Sequence, residues 1–100
     1  MKKLILIIIA AILIGTLSCG PIEYSAIILG ANEALAEAEE NGAKELAPYE
    51  YWYAHEHLRK AREEVGYSDF QAAAECARVA REYAKKARDI ALRRKRERGR

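Results

Sequence analysis

The sequence predicts an all-α protein: a short three-helix bundle, or a helical hairpin with a long third helix, following an N-terminal signal helix. Three observations carry that prediction. After Pro21 the chain is rich in alanine, glutamate, leucine, lysine and arginine, residues that enter a helix at little cost. Apolar side chains recur at three- and four-residue steps, and no window shows the apolar–polar alternation bounded by turns that marks strands. Helix punctuation falls at Asn41-Gly42, at Pro48 and between Gly66 and Asp69.

The N-terminal element begins with Lys2 and Lys3, continues as an almost wholly aliphatic run from Leu4 to Leu17, and closes on Ser18-Cys19-Gly20-Pro21. A bilayer-spanning helix needs about 20 apolar residues, and this run falls short. A basic start, an apolar stretch of about 7–15 residues and small residues before a cut are the layout of a secretory signal. With a cysteine after the small residues, the segment resembles a bacterial lipoprotein signal. That resemblance implies cleavage after Ser18 and acylation of Cys19 by diacylglyceryl and N-acyl chains such as palmitate. The consensus places leucine three residues before the cysteine; here Leu17 sits one place late. The same resemblance implies the outer membrane, facing the periplasm, because Gly20 is not the aspartate that retains enteric lipoproteins in the inner membrane. The alternatives are an uncleaved N-terminal anchor with an incidental cysteine and a buried core helix.

These bounds divide the chain into a signal peptide at 1–18, a lipidated terminus and linker at 19–23, a helical domain at 24–97 and a basic tail at 93–100. The mature part, from Cys19 on, is near the lower limit for one hydrophobic core, with no room for a second. The formal net charge of +2 comes from Lys2 and Lys3, so the remainder is balanced but segregated. Lys44 is the lone Lys or Arg among many glutamates in 22–57, whereas 93–100 is nearly all arginine and lysine. Such asymmetry points to interaction ends rather than to fold.

The first domain helix is expected over Tyr24–Asn41, with Ile28, Ala31, Leu35 and Ala38 as its apolar stripe. Gly42 suits the left-handed conformation that ends a helix. Lys44 to Ala47 reads as a loop or a partial turn. Pro48 opens the second helix, where a missing N–H costs nothing. Its stripe is Tyr51, Ala54, Leu58, Ala61 and Val65, widened by Trp52 and His55, and it ends at Gly66. Ser68-Asp69-Phe70-Gln71 reads as a capping box in which Ser68 or Asp69 accepts the first free N–H groups and Gln71 reaches back. The third helix runs from about Asp69 towards Arg96. Phe70, Ala73, Ala77, Ala80, Ala84, Ala87 and Ala91 form a trough of small side chains, for Leu58 and Trp52 to fill. The short link at Gly66-Tyr67 folds the second and third helices back antiparallel.

Catalytic chemistry is not expected. His55 and His57 are two apart on a helix and diverge, whereas helical zinc ligands stand three or four apart, so no metal is expected. Cys76 has no histidine at helical spacing to activate it, and no glycine-rich phosphate loop occurs. The chain is read as a non-enzyme with no cofactor beyond the covalent lipid. Cys76 is either a small core residue or, in an oxidising compartment, an intermolecular disulfide that would make a homodimer.

Two features remain as candidate interaction surfaces. Tyr49, Trp52 and Tyr53 lie within little more than one helical turn, either covering an alanine-lined core that lacks bulk or anchoring a partner. Arg93, Arg94, Lys95 and Arg96, with Arg98 and Arg100, form either a solvated helix end or a cationic contact. An exported protein does not meet nucleic acid routinely. The expected partners are therefore an envelope protein, anionic phospholipid, lipopolysaccharide or peptidoglycan, with the membrane engaged through the lipid.

The segment from Leu58 and Ala61 through Gly66, Tyr67 and Phe70 to Ala73, Ala77 and Ala80 resembles one tetratricopeptide helix pair. A single pair lacks the three or so repeats that an array needs, so the likeness implies the hairpin and no peptide ligand. Ala47-Pro48-Tyr49-Glu50, followed by Leu58, Ala61 and the alanine-rich third helix, resembles a family of small bacterial envelope lipoproteins with a domain of unknown function. Some relatives carry an OmpA-like peptidoglycan-binding module after this domain, and this sequence shows none, so attachment by that route is not expected. The resemblance implies no catalytic or ligand residues. The expected function is a lipid-anchored structural or adaptor component. The alternative is a regulatory module that binds a small ligand or peptide and keeps its N-terminal anchor.

Overall fold

The structure, a computed structural model, describes residues 1–16 and 21–99. Among them there are five helices and no strand: α1 (Lys2–Thr16), α2 (Pro21–Glu40), α3 (Ala43–Leu46), α4 (Pro48–Gly66) and α5 (Phe70–Arg98). The expected all-α architecture with a long last helix is what forms.

The helices α2, α4 and α5 make an up-down-up bundle. Tyr24 and Phe70 meet with ring centroids 6.3 Å apart, and Glu37 meets Arg88 at 3.1 Å, so α2 and α5 run in the same direction. Tyr53 packs tilted on Tyr83, ring centroids 4.1 Å apart, and Arg94 donates to the Leu46 carbonyl, so α4 runs back between them. One pole therefore holds the starts of α2 and α5 and the α4–α5 turn. The other holds α3, the first turn of α4 and the last turns of α5.

Fourteen of the seventeen buried residues among those described are alanine, and the other three are Leu46, Tyr51 and Leu58. Alanine at three- and four-residue steps leaves no side chain to hold the backbones apart, so helices with such faces can approach closely. The core runs in three layers. Leu58 fills the space among Ala31, Ala61, Ala77 and Ala80, flanked by Ile27, Ile28, Leu35 and Cys76. Ala34, Ala54 and Ala84 meet at mid-bundle. Leu46 and Tyr51 fill the space among Ala38, Ala43, Ala47, Ala87 and Ala91. The alanines of every expected stripe face inward, with Ala34 and Ala74 added to them.

Several local expectations are corrected. Pro21 opens α2 three residues before Tyr24, because proline at a first helical position loses nothing. Of the two expectations for 44–47, a loop or a partial turn, the turn forms, as a single four-residue helical turn over Ala43–Leu46. Trp52 does not fill the alanine trough; it is 47 % exposed, and Tyr51, one residue earlier and about 100° round the helix, is 2 % exposed in its place. The capping box is also reassigned. Asp69 is the N-cap of α5, its Oδ1 accepting from the Ala72 N–H at 3.1 Å, which puts Gln71 one position too early to complete a box. Ser68 instead takes the left-handed conformation, φ 59°, that closes α4. Its N–H donates to the Val65 carbonyl and the Asp69 N–H to the Glu64 carbonyl, both at 2.9 Å, the pairing of a Schellman motif. At Gly42, φ is 79°, as its place after α2 requires.

The helix α1 packs against none of the others, and the apolar residues along it, from Leu4 to Ile14, are 48–71 % exposed wherever they are large. No helix among the described residues is long and apolar enough to cross a membrane. Cys19 lies outside the described residues, as does Arg100.

Candidate interaction surface

Pro48 starts α4 at its first position after Ala47, whose own N–H donates to the Ala43 carbonyl at 2.8 Å. The chain therefore turns sharply out of α3, and the aromatic residues of the new helix emerge at one pole of the bundle. Four-residue spacing then separates two rows. Tyr49, Tyr53 and His57 stand one above the other, with Tyr49 and Tyr53 ring centroids 5.9 Å apart and Tyr53 stacked on His57 at 4.3 Å. His57 Nδ1 donates to the Tyr53 carbonyl at 2.9 Å, which fixes its ring. Across from this row, Tyr83 of α5 covers Tyr53, and Lys86 lies over the Tyr83 ring at 4.6 Å.

The second row faces α3. Trp52 meets Tyr51 edge-on at 5.0 Å and His55 at 5.2 Å. Lys44 reaches over both Tyr51 and Trp52, 5.7 and 6.0 Å from the ring centres, and pairs with Glu39 at 2.9 Å. The Tyr51 hydroxyl donates to Glu39 at 3.4 Å. Burial, and after it the Glu39 charge, push the Tyr51 phenol above its ordinary value. Lys44 holds the Glu39 carboxyl below its own. His55 Nδ1 is buried with no hydrogen-bond partner among the described residues, and Glu56 Oε1 at 3.7 Å is an ion-pair distance only for a protonated ring. The two histidines thus serve different aromatic rows.

Between the rows lies an open hollow lined by Pro48, Tyr49, Trp52, Tyr53, Glu56 and His57. Tyr49 is 67 % and Trp52 47 % exposed, while Tyr53 is half-buried. The turn divides between core and surface: Tyr51 and Tyr53 close the core, and Tyr49 and Trp52 face outward. Glu56 is held below its ordinary value by Arg59, 2.9 Å away, at the hollow's edge.

At the same pole α5 continues as helix to Arg98, with residues 92–99 exposed. Arg93, Lys95 and Arg96 project there, but Arg94 does not belong to a free tail. Its guanidinium caps the last carbonyl of α3 at Leu46, tying α3 to α5. The acidic stretch also serves the fold more than its segregation suggested, pairing Glu37 and Glu23 with α5 cations that lie before the basic tail. Arg88 pairs with Asp89 at 3.0 Å and with Glu37 at 3.1 Å, both of which raise its pKa, and Arg78 meets Glu23 at 3.3 Å.

The surface as built adds Tyr83, Lys86, Lys44 and Glu39 to the residues singled out from sequence. Tyr83 and Lys86 were within reach of sequence reasoning: in an antiparallel hairpin that seats Leu58 between Ala77 and Ala80, Tyr53 falls within the stretch 82–85, beside Tyr83. A second hollow, lined by Glu23, Tyr24, Phe70, Gln71, Ala74 and Arg78, lies at the opposite pole between the first turns of α2 and α5. Cys76 is half-buried, with a free thiol.

Comparison with protein families matches residues 28–100 to the family described as Domain of unknown function (DUF4398). The chain belongs to that family. The matched residues take in most of α2 and all of α3, α4 and α5, so the DUF4398 domain coincides with the bundle and leaves α1 outside it. No curated protein and no solved structure matches the chain.

Proposed function

We propose that this DUF4398 chain is a secreted bacterial lipoprotein, held by acyl chains on Cys19 to the periplasmic face of the outer membrane, where its bundle acts as a structural or adaptor component. The observation that carries the reading is α1. Its apolar residues are exposed along its length and meet no other helix, so the bundle is complete without it. At 15 residues it is about 22 Å long, short of the ~30 Å hydrocarbon core of a bilayer. A short apolar helix that no core uses, behind two lysines and ahead of Ser18-Cys19, suits an export signal better than a structural element. Several acyl chains together make membrane attachment practically permanent, whereas one alone is marginal.

An adaptor role rests on the exposed aromatic pair Tyr49 and Trp52, since tyrosine and tryptophan are favoured anchors at interfaces. The test is metabolic labelling with radioactive palmitate in an expressing bacterium, with intact mass of the membrane-bound protein. The wild type is expected to take up label and lose residues 1–18. Cys19→Ala is expected to take up none and to keep its precursor mass. Label on Cys19→Ala at wild-type level, or an unmodified wild-type chain still bearing Met1, would refute the anchor.

A further inference from the structure

We infer that the basic pole of the bundle contacts the carboxylate-bearing glycan–peptide mesh of the cell wall, not the membrane that holds the anchor; this rests on the lipoprotein reading above. The geometry is a matter of opposite ends. Cys19 precedes Pro21, the first residue of α2, by two positions, so the chain carries the anchor no more than about 7 Å from that end. The start of α2 lies beside the start of α5, with Tyr24 against Phe70 and Glu23 against Arg78. From there α5 runs 29 residues, about 42 Å, to the exposed Arg93, Lys95, Arg96 and Arg98. The cationic run therefore stands some 30–40 Å from the anchored end, by the helical rise. That is several Debye lengths at physiological salt, about 8 Å each, so anionic headgroups around the anchor exert little pull on it.

The chemistry at this pole narrows the partner. Four exposed cations stand within six residues, with Glu97 the one acid inside the run and Glu45 and Glu50 of α3 and α4 sharing the pole. The run calls for an extended array of anions, not a single one. On the same pole Tyr49 and Trp52 present exposed aromatic faces at the hollow with Pro48 and Glu56, flat apolar surfaces against which sugar rings stack. Carboxylates and sugar rings together, in a sheet parallel to the membrane and a few tens of ångströms from it, describe peptidoglycan. A phospholipid bilayer offers the anions without the sugars and lies at the wrong end.

The experiment uses the acylated full-length product in nanodiscs of neutral lipid, mixed with purified insoluble sacculi and sedimented. The wild type is expected to sediment, to be released by high salt, and to stay on the sacculi when phosphatidylglycerol vesicles are added as competitor. The triple change Arg93→Gln, Arg96→Gln, Arg98→Gln is expected to weaken binding roughly a hundredfold, from about a tenfold loss per 1.4 kcal/mol and about 1 kcal/mol per cation near an anionic surface. Removing as many charges elsewhere, by Lys60→Gln, Arg81→Gln and Lys85→Gln, is expected to change it less than threefold. Wild type left in the supernatant, the two triple variants behaving alike, or transfer of the protein to the vesicles would each overturn the inference. Palmitate labelling with no sedimentation defeats this inference alone; absence of label defeats the anchor beneath it.

Discussion

Leu58 is the one buried large side chain of its core layer, 2 % exposed among Ala31, Ala61, Ala77 and Ala80, with the partly buried Ile27, Ile28 and Leu35 at the rim. Leu58→Ala removes three carbons, worth about 2.4 kcal/mol at ~0.8 kcal/mol per buried methylene. Its alanine neighbours have no longer side chain to swing into the gap, so much of the void persists. Each 40 Å³ or so left empty adds about 1 kcal/mol at ~24 cal/mol per Å³. The total, about 3–4 kcal/mol, is a large share of the ~4–12 kcal/mol expected for a domain of about 80 residues. At about 4–8 °C per kcal/mol, the midpoint should fall by roughly 12–30 °C. Circular dichroism at the helical minimum, on residues 21–100 with and without the change, measures it. Leu29→Ala, at a position 60 % exposed, is the control and should move the midpoint by a few degrees at most. If Leu58→Ala shifts it no more than the control, the account of Leu58 as the filler of an alanine trough is wrong.

The two left-handed turns predict opposite outcomes in urea unfolding: Gly42→Ala, at φ 79°, should cost about 1–2 kcal/mol, whereas Ser68→Gly, at φ 59°, should gain up to about 1 kcal/mol. Asp69→Ala removes the acceptor of the Ala72 N–H and should cost about 1 kcal/mol in the same assay; Ser68→Ala, which leaves that acceptor in place, should cost less. Tyr51 gives a pH test. Its phenol is raised in the folded state, chiefly by burial, so below about pH 10 both states hold the proton and the group is neutral to stability. Above that the unfolded chain ionises first, and stability is lost as pH rises through the folded value. The wild type should therefore lose more stability than Tyr51→Phe between pH 9.5 and 11.5, and parallel melting curves across that range would contradict the burial of the hydroxyl.

The features legible in residues alone divide from the rest along a physical line. The seams of α4 and α5 were legible because alanine at three- and four-residue steps has one face to offer and nowhere else to put it. Gly42 and Pro48 were legible because each is the residue its backbone position demands. Tyr51 was legible as part of the α4 seam, but the width of that seam was not: only the register against Ala87 and Ala91 of α5 decides that Trp52, its neighbour, stays outside. Ser68 and Asp69 both offered a cap after the helix end at Gly66, and the backbone decides between them: Ser68 takes the left-handed position, where the Val65 and Glu64 carbonyls find their donors, which leaves the cap to Asp69. At the candidate surface the aromatic turn stood out in the sequence. Arg94 looked like one of a run, and its separate duty to Leu46 comes from a contact 48 residues away that no local pattern encodes.

The alanine core has a thermal consequence. Alanine contributes a single methyl, so a bundle with fourteen of them inside exposes little new hydrocarbon when it melts. Its heat-capacity increment on unfolding should lie below the ~12–15 cal/mol/K per residue of ordinary domains. A smaller increment flattens the stability curve, which leaves this bundle less prone to loosen in the cold and more even in strength across the temperatures at which a cell grows.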